Sequence, residues 1–75
     1  MERYANFGGG SSVAAFEFGE DWITIQFRDW SRYLYTYQSA GSATIERMKE
    51  LAVGGRGLGR YINRYVKKGY ASKRR

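Results

Sequence analysis

The chain has 75 residues, enough for one small domain, and its 13 basic and seven acidic side chains give a net charge of +6. It has no Cys and no His, which excludes a disulfide framework, the usual zinc ligands and any nucleophile that depends on Cys or His. We therefore expect no metal, no cofactor and no enzymatic activity. No apolar run approaches the ~18 residues of a membrane span and the N-terminus lacks the apolar stretch of a signal peptide, so we expect a cytoplasmic protein with no membrane partner.

The positive charge is gathered at one end of the chain. Residues 1–55 hold five basic and seven acidic side chains, whereas residues 56–75 hold eight basic side chains and no acidic one. Such an asymmetry is typical of proteins that bind a polyanion.

The first part of the chain predicts a tail followed by one strand. Residues 1–10 end in three glycines and are predicted to form a flexible N-terminal tail. Residues 11–69 are predicted to form a single domain. Its first strand covers residues 12–18, with Val13 and Phe16 on opposite faces, and a short Gly-Glu-Asp connection leads into an antiparallel neighbour.

Residues 22–37 predict a β-hairpin around which the domain is built. Apolar residues alternate along the first strand and tyrosines alternate along the returning strand, a period of two that a helix does not keep. The apolar residues are Ile23, Ile25 and Phe27, and the tyrosines are Tyr33, Tyr35 and Tyr37.

The length of the hairpin loop decides which face the tyrosines occupy, because one step of register moves alternate side chains to the opposite face. If Asp29 and Trp30 alone form the turn, the tyrosines share a face with Trp22, a surface suited to flat ligands such as bases. If the loop has three residues, they share the face of Ile25 and are mostly core. A two-residue type I′ turn needs a positive φ at Trp30, which suits Gly or Asn better than a bulky residue, so the longer loop is favoured.

Two helices are predicted to cover the sheet. The first covers residues 42–53, with Ser42 as its N-cap, and ends at the glycine pair that begins with Gly54. The second covers residues 58–68 and is amphipathic. Its apolar side holds Leu58, Tyr61, Ile62, Tyr65 and Val66, and its basic side holds Arg60, Arg64, Lys67 and Lys68. The predicted fold is therefore α+β, a three-stranded antiparallel β-meander packed against two C-terminal helices, followed by a basic C-terminal tail over residues 70–75.

Several short pieces follow one another in a particular order over residues 12–68. They are Ser12-Val13-Ala14-Ala15 with an aromatic residue at Phe18, the alternation Ile23, Ile25 and Phe27, the central Tyr33-Leu34-Tyr35, and Gly59-Arg60-Tyr61-Ile62-Asn63. In order and spacing they resemble the KTSC domain, found alone in bacterial and phage proteins and at the C-terminus of some lysyl-tRNA synthetases. The resemblance implies a nucleic-acid-binding module, and the synthetase fusion implies RNA. Two residues depart from the family: Trp30 stands where Gly is usual in the hairpin turn, and Gly57 where Ser is common.

Two sets of residues are candidates for binding. Basic side chains of the second helix can lie along phosphates and release counterions, and rings of the hairpin can stack on bases. The phosphate candidates are Arg56, Arg60, Arg64, Lys67 and Lys68, with added affinity from Lys73, Arg74 and Arg75; the stacking candidates are Trp30, Tyr33 and Tyr35. Both sets also have an ordinary interpretation, since strands favour Tyr, a small core needs rings, and a basic helix face keeps a protein soluble.

We therefore predict a small non-enzymatic module that binds nucleic acid, RNA or a single strand rather than duplex DNA. The alternative is a protein–protein interaction module of a bacterial or phage accessory protein, because Tyr, Trp and Arg also dominate protein interfaces. Salt separates the two, since nucleic-acid affinity falls steeply with salt concentration and an aromatic interface barely responds.

Overall fold

In the computed structural model, which describes residues 1–66 and 68–74, five antiparallel strands form one sheet in chain order. The strands are β1 (Glu2–Arg3), β2 (Val13–Phe18), β3 (Trp22–Phe27), β4 (Arg32–Thr36) and β5 (Ser72–Arg74). Between β4 and β5 the chain forms helices α1 (Tyr37–Ala40), α2 (Ser42–Gly54) and α3 (Leu58–Tyr61), and α3 continues as a π-helical turn over Ile62–Val66. The predicted α+β class, an antiparallel sheet with helices, is confirmed.

The prediction of three strands is wrong, since each end of the chain adds one. At the N-terminal end β1 pairs with β2. Tyr4, just beyond β1, is 3% exposed and packs in the core. The segment predicted to be a flexible tail over residues 1–10 is therefore attached to the domain by a strand and a buried ring.

The C-terminal end adds β5, which pairs with β4 at the other edge of the sheet. The backbone N–H of Ala71 donates to the carbonyl of Leu34 at 2.6 Å, and the Tyr70 ring meets the Tyr33 ring edge-on at 5.0 Å. The predicted basic tail over residues 70–75 thus supplies an edge strand. Strands of two or three residues have too few positions to show an alternation, so periodicity does not reveal them.

The β3–β4 hairpin has the predicted three-residue loop. Ile25 lies opposite Tyr33, and residues 28–30 form the loop. Tyr33 and Tyr35 therefore share the face of the apolar residues of β3, as expected for the longer loop. The expectation that Trp30 avoids a positive φ is wrong, because its φ is 72°. A three-residue loop places its last residue in the left-handed region as well.

The predicted faces of β2 are wrong at its start, because the strand contains a β-bulge. The register with β3 shifts between Val13 and Ala15, so that Val13 lies opposite Phe27 and Phe16 opposite Ile25. Val13 and Phe16 therefore share one face and are both buried, where strict alternation predicted opposite faces.

Capping accounts for the ends of α1 and α2. The prediction of two helices is wrong, because a short third helix, α1, precedes them. It begins with a reciprocal capping box: Ser39 N–H donates to the Thr36 hydroxyl at 3.1 Å, and Thr36 N–H donates to the Ser39 hydroxyl at 2.9 Å. The bounds of α2 agree with the prediction, but Gly41 rather than Ser42 is its N-cap. Gly55, with a φ of 73°, ends α2 in the left-handed conformation, as expected.

The second predicted helix is α3 followed by the π-helical turn, and the predicted end at residue 68 passes through Lys67, which lies outside the described residues. In a π-helix the hydrogen bonds run from residue i to i+5, so each turn holds more residues than a turn of α-helix does. Residues four apart therefore stay on one face, whereas residues three apart move off it. Leu58, Ile62 and Val66 accordingly form the buried stripe. Tyr65, predicted on the apolar side, is 69% exposed.

The helices pack on one face of the sheet, which we call the inner face; the opposite face, with Thr24, Arg32 and Leu34, is the open face. The core lies between the inner face and the helices. It consists of Tyr4, Val13, Phe16, Ile23, Ile25, Tyr35, Ile45, Met48, Ala52, Leu58, Ile62 and Val66. Within the described ranges no helix is both long and apolar enough to cross a bilayer.

Candidate nucleic-acid interface

A groove runs between the N-terminal segment and the start of α3. One wall is the glycine-rich segment 8–12, and the other is the exposed side of residues 56–64. The groove consists of two adjoining concavities of about 290 and 450 Å³, which share residues from both walls. We call it the basic groove. It is lined by Asn6, Gly8, Gly9, Gly10, Ser11, Ser12, Arg56, Gly57, Gly59, Arg60, Asn63 and Arg64.

Two buried contacts hold the walls together. Gly59 is buried against Ser11, where an added Cβ would lie 2.8 Å from the Ser11 hydroxyl oxygen and would force that oxygen away from the Val13 N–H, which donates to it at 3.1 Å. The N–H of Leu58, at the start of α3, donates to the hydroxyl oxygen of Tyr4 at 3.1 Å. The position of the groove therefore depends on the N-terminal strand as much as on the helix.

Three arginines of this groove are exposed and carry unneutralised charge. Arg60 and Arg64 lie four residues apart, and Arg56 lies at the other end of the groove. In the part of the chain that the structure describes, none of the three forms an ion pair with a carboxylate. The Arg64 guanidinium lies 6.0 Å from the centre of the Tyr65 ring. These groups are free to meet an anion in the groove.

An aromatic cleft of about 460 Å³ lies next to the basic groove, at the loop end of the β3–β4 hairpin. Ser12 and Asn63 line both, so the two concavities adjoin. The remaining lining residues of the cleft are Phe27, Arg28, Asp29, Ser31, Tyr33, Tyr35 and Ile62. The predicted arginines line the basic groove, and the predicted tyrosines Tyr33 and Tyr35 line the cleft next to it.

Tyr33 is the half-buried ring of this cleft. Phe27 meets it edge-on at 5.2 Å between ring centres, and Tyr70 does so at 5.0 Å. The Lys73 ammonium lies 5.4 Å from the ring centre. A base that contacts Tyr33 therefore meets a cation as well as a ring.

Tyr35 does not fit the role predicted for it. Its side chain is 1% exposed, and burial, followed by the charges of Tyr33 and Tyr70, raises its pKa far above that of a free tyrosine. A ring with no exposed face cannot stack on a base. Tyr35 is core, as the three-residue loop implies.

Trp30 lies at the tip of the hairpin, between Asp29 and Ser31 of the cleft lining, but does not itself line the cleft or the groove. Its ring is 75% exposed, and its backbone is left-handed, with a φ of 72°. The turn is held by Asp29, whose carboxylate accepts the N–H of Ser31 at 3.0 Å and the Ser31 hydroxyl. This left-handed conformation is the one that a three-residue loop gives its last residue.

Replacing Trp30 by Gly is expected to raise the free energy of unfolding by up to about 1.5 kcal/mol. A left-handed non-Gly residue destabilises the folded state by about 1–2 kcal/mol, which Gly would relieve. Gly also gives the unfolded chain more conformational freedom, which offsets about 0.4–1 kcal/mol of this stabilisation. Urea denaturation measures the effect. Trp30→Ala is the matched control, since it removes the ring and keeps the strain; an equal gain from Ala would contradict the assignment to backbone strain.

The other predicted cations lie apart from the groove or outside the description. Lys68 is exposed in the turn after Val66 and does not line either concavity, while Lys67 lies outside the described residues.

The cations of α2 are paired with carboxylates. Arg47 pairs with Glu50 at 3.3 Å. Lys49 donates to Glu46 at 2.9 Å. The hydrogen bond from the Tyr37 hydroxyl is the main cause that lowers the pKa of the Glu46 carboxyl, and the contact with Lys49 is the second.

Sequence reasoning missed the polar residues that join the two concavities. Asn63 follows Arg60 by three positions and therefore lies on the same side of the helical segment, a spacing that is visible in the sequence. Ser12 and Arg28 come from other elements, and their backbones are joined by a hydrogen bond of 2.8 Å from Arg28 N–H to the Ser12 carbonyl. No local pattern signals that contact.

Comparison of the chain with protein-family models, curated proteins and solved structures found no match. The resemblance to the KTSC domain therefore stays a prediction. Among the described residues, no group of three or more acidic side chains is placed to hold a metal ion.

Proposed function

We propose that this protein is a small non-enzymatic module that binds single-stranded nucleic acid, with the phosphate backbone in the basic groove and a base in the aromatic cleft. One observation carries the proposal: the groove and the cleft adjoin, with Ser12 and Asn63 lining both. A polyanion with flat bases needs both kinds of surface side by side.

The phosphate contacts are assigned to Arg56, Arg60 and Arg64. Guanidinium groups donate paired hydrogen bonds to phosphate oxygens, and the release of counterions adds affinity that does not depend on sequence. The excess of basic side chains over residues 56–75 adds to the long-range attraction of a polyanion.

The base contacts are assigned to Tyr33 and Phe27 in the cleft and to the exposed Trp30 at the tip of the hairpin. Asn63, which is exposed, lines both the cleft and the groove, and its side-chain amide can hydrogen-bond a base edge. Bases in a duplex are stacked and paired, so a cleft of this kind favours a single strand. The resemblance to the KTSC domain supports RNA as the first ligand to test.

The test is a titration of a fluorescent single-stranded RNA at two salt concentrations. Three arginine–phosphate contacts predict a slope of about −2 for log K against log salt, so that affinity falls about 20-fold between about 50 and 200 mM salt. A duplex of the same sequence should bind more weakly. Absence of binding at the lower salt concentration, or equal affinity for the duplex, would reject the proposal.

A second candidate function is a protein–protein interaction module of a bacterial or phage accessory protein. It is favoured by exposed aromatic side chains at three separate places, Phe7, Trp30 and Tyr65. A partner protein held by these rings would show an affinity that hardly changes over the same range of salt.

A further inference from the structure

The open face of the sheet carries a row of arginines that the proposed function does not use. Arg32 of β4 and Arg74 of β5 are directly paired, and Gln26 of β3 and Ala15 of β2 extend the same row. Arg3 of β1 lies opposite Ala15 and completes it. Every strand of the sheet thus contributes one residue to the row, and three of the five residues are arginines.

The pairing of Arg32 with Arg74 places like charges opposite each other. The Cβ atoms of directly paired residues lie about 5 Å apart, and like charges there destabilise the sheet. Throughout residues 1–66 and 68–74, no carboxylate forms an ion pair with either side chain. Glu17 lies on the same face, but its nearest charged partner is the N-terminal amino group, at 3.9 Å.

These two arginines line a shallow concavity of about 240 Å³. Its other lining residues belong to the strands or to the residue before β1, and no helix residue is among them; they are Met1, Glu17, Thr24, Leu34 and Ser72. Thr24 and Ser72 supply hydroxyl donors beside the guanidinium groups. The space is smaller than the roughly 300–1,000 Å³ of sites that take a drug-sized molecule, and it suits one small oxyanion.

We infer that the open face holds a phosphate-binding site in which Arg32 and Arg74 clamp one phosphate group and the hydroxyls of Thr24 and Ser72 complete its hydrogen bonds. A bound phosphate neutralises the like-charge pair, so the repulsion across β4 and β5 becomes two charge-assisted attractions. The site is independent of the basic groove and does not require the proposed function.

Binding at this site also fixes β5 to the sheet. Lys73 of β5 lies over the Tyr33 ring on the inner face, while Arg74 faces the open side. A phosphate held between Arg32 and Arg74 on the open face therefore stabilises β5, the strand whose Lys73 side chain lies over Tyr33 on the inner face. Amide groups of β5 become better protected from hydrogen exchange when phosphate is bound.

The experiment is a titration of the full chain with inorganic phosphate at constant ionic strength, followed by amide chemical shifts. Saturable shifts of Ser72, Arg74 and Arg32, with slower exchange in β5, are expected. Arg32→Gln with Arg74→Gln should abolish them, and Arg47→Gln, on α2, should not. In chloride buffer the double variant should be no less stable than the wild type, because it relieves repulsion.

Two further arms identify the source of the phosphate and separate this site from the groove. An oligonucleotide that shifts the same amides in a variant with Arg60→Gln and Arg64→Gln assigns the site to a nucleic-acid backbone, whereas a response to inorganic phosphate alone assigns it to a free phosphate group. Either result supports the site. Shifts that do not saturate, or that persist in the double variant of Arg32 and Arg74, would overturn it.

Discussion

Tyr35→Ala is expected to lower the free energy of unfolding by about 3–5 kcal/mol, as other large aromatic truncations in cores do. Tyr35 is among the largest fully buried side chains of the described residues, and it lies opposite Ile23 in the middle of the sheet. Its ring contacts Tyr33 and Tyr70, with ring centres 6.4 Å away in each case. A domain of this size has only a few kcal/mol of net stability, so the variant should be largely unfolded at 37 °C.

Thermal denaturation followed by circular dichroism measures the loss. Tyr65→Ala is the matched control, because this tyrosine is 69% exposed and its removal should change the free energy of unfolding by less than about 0.5 kcal/mol. Tyr35→Phe keeps the ring and should cost far less than Tyr35→Ala. If Tyr35→Ala remained folded with a melting temperature close to that of the wild type, the ring would have to lie outside the core.

The contrast between these two tyrosines shows how far residue patterns reach. A period of two across β3 and β4, together with a three-residue loop, correctly predicted that Tyr35 faces the apolar side chains of the core. An α-helical period of 100° per residue wrongly assigned Tyr65 to the apolar side, because the π-helical turn changes the rotation from residue to residue. Nothing in a single sequence marks a π-helical turn.

The hairpin loop illustrates a correct prediction with an incorrect reason. The longer loop was favoured because Trp30 should avoid a positive φ, yet Trp30 has a positive φ in the longer loop. Register across the strands, rather than the preference of the turn residue, determines the loop length. Ile25 opposite Tyr33 buries both strands' apolar residues on one face, and the burial of that face outweighs about 1–2 kcal/mol of strain at one exposed residue.

The basic residues of the candidate site can be picked out in the sequence, whereas the groove that they line cannot. Clustering of basic residues after position 55 predicts Arg56, Arg60, Arg64, Lys67 and Lys68 as phosphate contacts, and the three arginines line the groove. The wall opposite them is formed by residues 8–12, whose position depends on β1 and on the hydrogen bond that the Leu58 N–H donates to Tyr4. Contacts between residues more than 50 positions apart have no local signature, so the groove requires the structure.

Replacing both Arg60 and Arg64 by Gln is expected to weaken binding of single-stranded RNA about 100-fold at about 50 mM salt. Each hydrogen bond to a charged group contributes about 1.5–3 kcal/mol, and the loss of 1.4 kcal/mol corresponds to a factor of ten. Gln keeps a polar side chain of good helix propensity, so the helical segment should be retained. Both arginines are exposed, so the melting temperature should change little.

The salt dependence of binding distinguishes a lost phosphate contact from a general loss of charge. For a single strand, each lost contact reduces the slope of log K against log salt by about 0.7, so the double variant should lose about 1.4. Arg47→Gln on α2 removes one positive charge at a place that does not line the groove, and it should leave the slope unchanged. Equal effects of Arg47→Gln and Arg60→Gln would mean that net charge alone attracts the ligand. A reduced slope confined to the Arg60 and Arg64 variants would place the phosphate backbone in the basic groove.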